Sequence, residues 1–279
     1  MMKFAPAVPQ WQTLGKANIS ITQVRPCKPP RGTLRRTLMS ANPASRVVGG
    51  VQAVVGRKCK TLLFDLDGTL YPDDNGYVQH IRQNAESYMH EKLGIPLNEV
   101  SEVRKKALAL ANQTVRGLKM QGYEFDSDEF VENMRKGEHL FMVPDPEVQE
   151  FLGSLPQSKW LFTNTGEGPA RRALECLGIS EHFEGVFGAD FMGDISKPQV
   201  EAFQKVLDHI GAEAATTVIF EDSLKNIKSC REMGMGTVFI CGDDPEQGVG
   251  EASSGGNVED LADVVVYKCS KEQLYAKFP

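Results

Sequence analysis

The pattern of apolar positions predicts a set of short strands alternating with helices. Strand-length apolar runs occur at residues 60–64, 159–163, 185–189, 217–220, 237–240 and 263–267. Most of these runs are apolar at successive positions, as expected of parallel strands that helices cover on both faces. Helical patterns lie between them at residues 168–177, 199–210 and 223–233. This alternation predicts an α/β fold, a Rossmann-like doubly wound parallel sheet.

Residues 76–150 interrupt the alternation with a purely helical pattern. The periodicity predicts helices over 78–92, 97–118 and 127–137, and turn signals at Gly94 and Gly122 separate them. We therefore expect a small α-helical cap over residues 76–150, inserted into an α/β core made of residues 58–75 and 151–279.

Charge divides the chain at a different point. Residues 1–64 hold 11 of the 31 basic residues and none of the 37 acidic ones, which leaves a net charge of −17 on residues 65–279. An acid-free, Arg-bearing, Pro-rich leader is typical of an organelle transit peptide, and the alternative is a disordered basic tail. We expect residues 1–57 to form such a leader and the rest to work in an organelle stroma or matrix. A plastid is favoured over a mitochondrion, and a leader without this role would indicate a cytoplasmic protein.

The acidic body also limits the partners. Nucleic acids require positive patches, so a body of this charge argues against a nucleic-acid partner. No run approaches the 18 apolar residues of a membrane-spanning helix, so we expect no membrane partner.

Two carboxylates follow the first predicted strand. Asp65 and Asp67 are two residues apart, so in an extended backbone their side chains point to the same side. Such a pair repels unless a cation lies between its members, and Mg²⁺ prefers oxygen ligands of this kind. The alternative is an ordinary β-turn that uses acidic turn formers.

Further polar side chains follow the other strands. Thr163 and Asn164 end the second run, and Glu221 and Asp222 end the fourth, with Asn226 four residues beyond Asp222. Lys197 stands just before a predicted helix. Reactive groups of open α/β sheets gather at the carboxyl ends of the strands. These side chains therefore form one set that combines acids, a lysine suited to phosphate, and hydroxyl or amide donors.

The segments FDLDGTLY, FTN, SKP and FEDSLKN resemble the four ordered motifs of the haloacid dehalogenase (HAD) superfamily of phosphohydrolases. The resemblance covers about residues 60–242, and residues 76–150 resemble the cap that such proteins insert after the first motif. Within the superfamily, LYPDDNGYVQHI and TNTGEGPARRALECLGISEHFEGVFGAD resemble the pyrimidine 5′-nucleotidase-like branch. One departure is the Tyr-Gly-Thr-x-x-Gly-Leu stretch of that branch, because the corresponding Ala111-Asn-Gln-Thr114-Val-Arg-Gly117-Leu118 lacks the Tyr-Gly pair. This departure leaves the substrate open.

The resemblance implies a role for each candidate residue. Asp65 would attack phosphorus and form an aspartyl-phosphate, and Asp67 would serve as general acid and base. Mg²⁺ would be held by Asp65, the main-chain carbonyl of Asp67 and Asp222, with Glu221 in support. Thr163, Asn164 and Lys197 would hold the phosphoryl group, and Asn226 would support the site.

The expected activity is therefore a Mg²⁺-dependent phosphatase acting on a small phosphate ester, most plausibly a (pyrimidine) nucleoside 5′-monophosphate. Tyr71 and Tyr77 either stack on a nucleobase or pack at the cap hinge. Other substrates stay open, namely a flavin or vitamin precursor, a phosphoglycolate-like acid or a sugar phosphate. A phosphomutase with a cap base such as His80, His90 or Lys92 is an alternative, and so is a non-catalytic regulatory protein on the same scaffold.

Overall fold

A parallel sheet organises the protein. The computed structural model describes residues 58–111, 113–242 and 262–276. The strands are β1 (Thr61–Phe64), β2 (Ser158–Phe162), β3 (Gly185–Phe187), β4 (Thr217–Glu221), β5 (Gly236–Ile240) and β6 (Val264–Val266). They lie in the order β3-β2-β1-β4-β5-β6, and every neighbouring pair is parallel. The expected α/β fold with a parallel sheet is confirmed.

Four α-helices of the described residues lie in the region expected to form the cap, and we refer to them as the cap: α1 (Tyr77–Glu91), α2 (Leu97–Ala111), α3 (Thr114–Met120) and α4 (Ser127–Arg135). The single helix predicted over 97–118 is wrong, because α2 and α3 are separate and α3 packs back against α2. Gly117 permits this packing, since a Cβ atom there would lie 2.0 Å from the carbonyl oxygen of Ala107. The cap has its own apolar cluster, made of Ala85, Tyr88, Met89, Ile95, Val100, Ala107, Leu118 and Phe130.

The other α-helices of the described residues cover the sheet: α5 (Pro146–Ser154), α6 (Glu167–Leu177), α7 (Ala189–Met192), α8 (Val200–Ile210), α9 (Leu224–Glu232) and α10 (Lys271–Ala276). Leu62 and Phe64 of β1 point into one apolar cluster, which contains side chains of α5 and α6. Leu63 points into the opposite cluster, which contains side chains of α8 and α9. Strand β1 is therefore buried on both faces, as its continuous apolar sequence predicts.

The exact boundaries between the α/β core and the cap stay a prediction. Helix α5 contributes Val148, Phe151 and Leu152 to an apolar cluster of the sheet, although the expected cap boundary at residue 150 divides this helix. The expected leader, residues 1–57, lies outside the described residues. Among the helices that the structure describes, none combines the length and apolarity of a membrane span.

Candidate active site

The site begins where β1 ends at the centre of the sheet. The Asp65 amide donates to the carbonyl of Phe220 at 2.9 Å, so the ladder with β4 continues one residue beyond β1. The chain then turns sharply, with Gly68 at a φ of 75°, and the Leu70 amide donates to the carbonyl of Leu66 at 3.0 Å. A β-carbon at position 68 would lie 2.3 Å from Oδ2 of Asp222, so glycine is needed for this close approach.

Lys197 is the buried cation of the site. Its side chain is 2% exposed, and its Nζ donates to Oδ1 of Asp65 at 2.6 Å and to Oε2 of Glu221 at 2.8 Å. Burial alone would lower the pKa of Lys197, but the two carboxylates raise that pKa above its usual value. Lys197 is therefore held as a cation between the ends of β1 and β4.

Three carboxylates converge on this point. Asp65, Glu221 and Asp222 each place one oxygen within 4.8 Å of the others. Burial, followed by the charge of Glu221, raises the pKa of Asp65 to about 7 despite the opposing charge of Lys197. Burial and the charges of Glu221 and Asp65 likewise raise the pKa of Asp222 well above its usual value. Buried, mutually repelling oxygen ligands of this kind fit a hard divalent cation.

Asp67 has different surroundings from Asp65. Arg135, the last residue of α4 in the cap, donates to both carboxylate oxygens of Asp67 at 2.8 Å. The Thr165 hydroxyl donates to Oδ2 at 3.1 Å, and the Tyr71 hydroxyl donates to Oδ1. Burial alone would raise the pKa of Asp67, but the charge of Arg135 and the hydrogen bonds lower that pKa to about 2.

The structure brings the expected phosphate-binding residues to the same edge of the sheet. Thr163 is buried after β2, and its hydroxyl accepts a hydrogen bond from the Thr165 amide at 3.1 Å. The Asn164 side chain accepts from the Lys197 amide at 3.0 Å and donates to the Lys197 carbonyl at 3.1 Å. Asn164 therefore fixes the backbone that carries Lys197. Asn226 is buried in the first turn of α9 and lines, together with Asp222, a cavity of about 950 Å³.

Two tyrosines of the first motif pack within the protein. Tyr71 and Tyr77 are both buried, and their rings meet edge to face. The Tyr77 hydroxyl donates to the Arg135 carbonyl at 2.7 Å. The structure therefore places both rings in the packing of the cap hinge, the second of the two roles expected for them.

The cap also reaches the core through the stretch that departs from the nucleotidase branch. The Gln113 side chain donates to the Asn164 carbonyl at 3.3 Å, and the Arg116 guanidinium donates to the Asp194 carbonyl. Neither contact was predicted. Arg135 and Thr165 were also missed, because their link to Asp67 spans 68 and 98 residues of sequence respectively and no local pattern encodes it.

Residues 59–234 match the family model of the haloacid dehalogenase-like hydrolases, and the chain belongs to this family. The resemblance to the superfamily is thus confirmed.

Curated relatives are distant. The chain is 24% identical over 197 residues to Phosphate metabolism protein 8 of Saccharomyces cerevisiae, a match that covers 64% of this chain and 61% of the yeast protein. The chain thus spans less than two thirds of that relative. It is 23% identical over 188 residues to the phosphorylated carbohydrates phosphatase of Thermotoga maritima, covering 64% of this chain and 84% of the relative. It is 26% identical over 196 residues to the phosphoglycolate phosphatase of Rhodospirillum rubrum, covering 65% of this chain and 79% of the relative.

Solved structures share the fold. A HAD phosphatase from Thermococcus onnurineus superposes with a TM-score of 0.54 at 21% identity, covering 75% of this chain and 94% of that one. The L-2-haloacid dehalogenase of Xanthobacter autotrophicus gives a TM-score of 0.51 at 15% identity, covering 79% of this chain and 99% of that one. At these identities the likeness shows the architecture alone.

Proposed function

We propose that the protein is a phosphomonoester hydrolase that works through an aspartyl-phosphate and requires Mg²⁺. The observation that carries the proposal is the placement of Asp65 at the end of the central strand, 2.6 Å from the Lys197 ammonium and within 4.8 Å of two further carboxylates. The names of the relatives support it, because two of the three described are phosphatases.

Mg²⁺ fits the residues at this edge of the sheet. Asp65, Asp222 and the main-chain carbonyl of Asp67 would hold the ion, with Glu221 in support through its bond to Lys197. When bound, the ion supplies positive charge that offsets the repulsion between a carboxylate nucleophile and a phosphate. Two observations support this assignment. Three carboxylates converge here, and Gly68 has no side chain that would fill the space next to Asp222.

The residues then divide the chemistry between two steps. Asp65 forms a bond to phosphorus while the bond to the ester oxygen breaks, and Asp67 gives that oxygen a proton. Asp67 next takes a proton from the water that attacks the aspartyl-phosphate, which releases phosphate and restores Asp65. Lys197 and Thr163 hold the phosphoryl oxygens in line, and Asn164 orients Lys197. Asn226 supports the loop after β4.

The proposed substrate is a small phosphate ester, and a nucleoside 5′-monophosphate is favoured by the resemblance to the nucleotidase-like branch. Because Tyr71 and Tyr77 are buried in the hinge, we assign neither to stacking on a base. Sugar phosphates, phosphoglycolate-like acids and vitamin or flavin precursors stay in the panel of candidates. Two further expectations stay predictions from the sequence. Residues 1–57 are expected to form an organelle leader, and the protein is expected to be located in a plastid.

A phosphomutase would need a cap base such as His80, His90 or Lys92, and each has a partner within the cap. His80 hydrogen-bonds to the Lys136 carbonyl at 2.8 Å, His90 hydrogen-bonds to the Ile95 carbonyl at 2.8 Å, and the Lys92 ammonium lies 3.3 Å from Glu129. These contacts support local roles within the cap for both histidines.

The purified full chain tests the proposal with 4-nitrophenyl phosphate, with and without Mg²⁺. We expect Mg²⁺-dependent phosphate release, and we expect Asp65→Asn to reduce kcat at least about a thousandfold because an amide cannot form the aspartyl-phosphate. Asp208→Asn is the matched control, since Asp208 lies exposed on α8. Equal rates for the wild type and Asp65→Asn would contradict the proposal. Ranking nucleotides, sugar phosphates, 2-phosphoglycolate and vitamin phosphates by kcat/KM then identifies the substrate class.

A further inference from the structure

Both oxygens of the Asp67 carboxylate are fully occupied by donors of the protein. Oδ1 accepts from Arg135 at 2.8 Å and from the Tyr71 hydroxyl. Oδ2 accepts from Arg135 at 2.8 Å and from Thr165 at 3.1 Å. A carboxylate oxygen has about two lone-pair positions, so this arrangement leaves no position for a substrate oxygen.

The donors belong to different parts of the molecule. Tyr71 and Thr165 follow strands β1 and β2, whereas Arg135 ends cap helix α4. The backbone around Arg135 is tied to cap helix α1, because the Tyr77 hydroxyl donates to the Arg135 carbonyl at 2.7 Å and the Asn84 amide donates to the Met134 carbonyl at 3.2 Å. Any movement of the cap therefore moves Arg135 relative to Asp67, while Tyr71 and Thr165 stay with the sheet.

The proposed hydrolysis requires Asp67 to contact the leaving oxygen of the ester, and the inference rests on that function. One donor must then leave Asp67, and Arg135 is the donor attached to the cap. The Arg135 side chain is 11% exposed, and its Nε has no hydrogen-bond partner among the described residues. A guanidinium displaced within such a buried place requires a new anion, because an unpaired buried charge is costly. An incoming phosphate ester brings that anion.

We propose that Arg135 is a substrate-displaced latch, which occupies the Asp67 carboxylate in the free enzyme and transfers to an oxyanion of the phosphate ester on binding. Its planar guanidinium suits this exchange, because a carboxylate and a phosphate both accept a bidentate pair of hydrogen bonds from arginine. The oxyanion belongs either to the transferred phosphoryl group or to a second acidic group on the leaving moiety. In both cases Arg135 binds substrate and frees Asp67 in one movement.

Arg135→Gln removes the positive charge and the bidentate hydrogen bonding of the guanidinium, whereas Arg135→Lys keeps only the positive charge. Arg172→Gln is the matched control, because Arg172 forms another ionic contact between cap and core, to Glu132 at 2.8 Å and Glu138 at 2.6 Å. Three measurements are made with Mg²⁺ present: binding of inorganic phosphate by calorimetry, and kcat and KM for 4-nitrophenyl phosphate and for 2-phosphoglycolate. Thermal melting confirms that each variant is folded.

If the phosphoryl group receives Arg135, Arg135→Gln weakens phosphate binding and raises both KM values at least about tenfold, and kcat changes less. If a second acidic group of the substrate accepts the Arg135 hydrogen bonds instead, only the KM for 2-phosphoglycolate rises. The Lys variant falls between Gln and wild type, and Arg172→Gln stays near wild type.

Two results would overturn the proposal. One is a loss of kcat in Arg135→Gln with unchanged phosphate affinity and KM, which would mean that Arg135 only holds Asp67 in place. The other is an equal loss of phosphate affinity in Arg172→Gln, which would mean that general cap closure is responsible. Phosphate binding is measured without turnover, so an inactive wild type with Arg135-dependent binding would refute the hydrolase function and not the anion-binding role of Arg135.

Discussion

Asp65 and Asp67 stand two residues apart and have opposite electrostatic surroundings. Burial and Glu221 raise the pKa of Asp65 to about 7, whereas Arg135 overcomes the effect of burial on Asp67 and lowers its pKa to about 2. Hydrolysis requires the reverse, an ionised nucleophile and a proton on the general acid. The proposed reaction therefore needs the charge of the metal and the substrate to act on both carboxylates.

The close approach at Gly68 gives a prediction at the residue scale. In Gly68→Ala the new Cβ would lie 2.3 Å from Oδ2 of Asp222, so Asp222 must move. We expect kcat/KM to fall on the order of a hundredfold, because displacements of about 1 Å in a reactive site have effects of this size. Mg²⁺ titration of the activity should show a raised half-saturation concentration.

Gly94→Ala is the control for this change. Gly94 has a φ of 69°, similar to the 75° of Gly68, but a Cβ there meets nothing within 4 Å. Both variants should lose about 1–2 kcal/mol of stability through left-handed strain. If Gly94→Ala impaired the activity as much as Gly68→Ala does, strain and not the contact with Asp222 would be the cause.

Sequence position explains which site residues were predictable. Asp65, Thr163 and Asp222 each follow a buried strand, and that local pattern places them at one edge of the sheet. Arg135 carries no such pattern, because it ends an otherwise ordinary cap helix and meets Asp67 only through the tertiary fold. The contact by which Asn164 orients Lys197 likewise spans 33 residues of sequence, so no local pattern encodes it.

At the scale of elements, strands were predicted more accurately than cap helices. Each of the six strands lies within two residues of its apolar run, because burial on both faces leaves few polar positions inside a strand. The break between α2 and α3 was missed, since the apolar periodicity continues through residues that include no proline. The packing of Gly117 on Ala107 and the hydrogen bond from the Gln121 side chain to the Val103 carbonyl show that the chain folds back there.

Gly117→Ala tests this packing. Alanine is the better helix former by up to about 1 kcal/mol, yet its Cβ would lie 2.0 Å from a backbone oxygen that cannot move alone. We expect a loss of about 1–3 kcal/mol in unfolding free energy, measured by urea denaturation, as for other overpacked sites.

Gly153→Ala in α5 is the helical control for that experiment. Its Cβ would make an ordinary contact at 3.5 Å with the His182 ring, so the helix propensity of alanine should leave stability unchanged or raised. A stabilised Gly117→Ala would show that α3 does not pack on α2 as described.

At the scale of the whole molecule, the acidic body concentrates part of its charge where the proposed reaction takes place. Residues 65–279 carry 37 acidic residues, and three of them converge at one edge of the sheet with Lys197 as their buried counter-charge. When all three carboxylates are ionised, one cation leaves the site with excess negative charge, and this repulsion is one reason why the pKa values of Asp65 and Asp222 are raised. The folded protein should therefore be stabilised by a divalent ion.

Thermal melting measures this effect. A hundredfold excess of Mg²⁺ over its Kd should stabilise the fold by about 2.7 kcal/mol, which corresponds to a Tm increase of about 5–10 °C. In Asp222→Asn we expect a higher Tm without metal, because one of the repelling carboxylates is gone, and a smaller response to Mg²⁺. The control Asp208→Asn should respond as the wild type does. An undiminished response in Asp222→Asn would place the metal elsewhere.

The separate apolar cluster of the cap has an evolutionary consequence. Because Tyr88, Met89, Phe130 and their neighbours bury one another and not the sheet, substitutions on the cap need not disturb the strand that carries Asp65. Natural selection can therefore vary the interior of the cap by ordinary point mutation, while the strand that carries Asp65 is inherited unchanged. We expect a chimera with the cap of a homologue to fold, and to keep the proposed chemistry where the donor cap supplies the contacts that Arg135 and Gln113 make with the core.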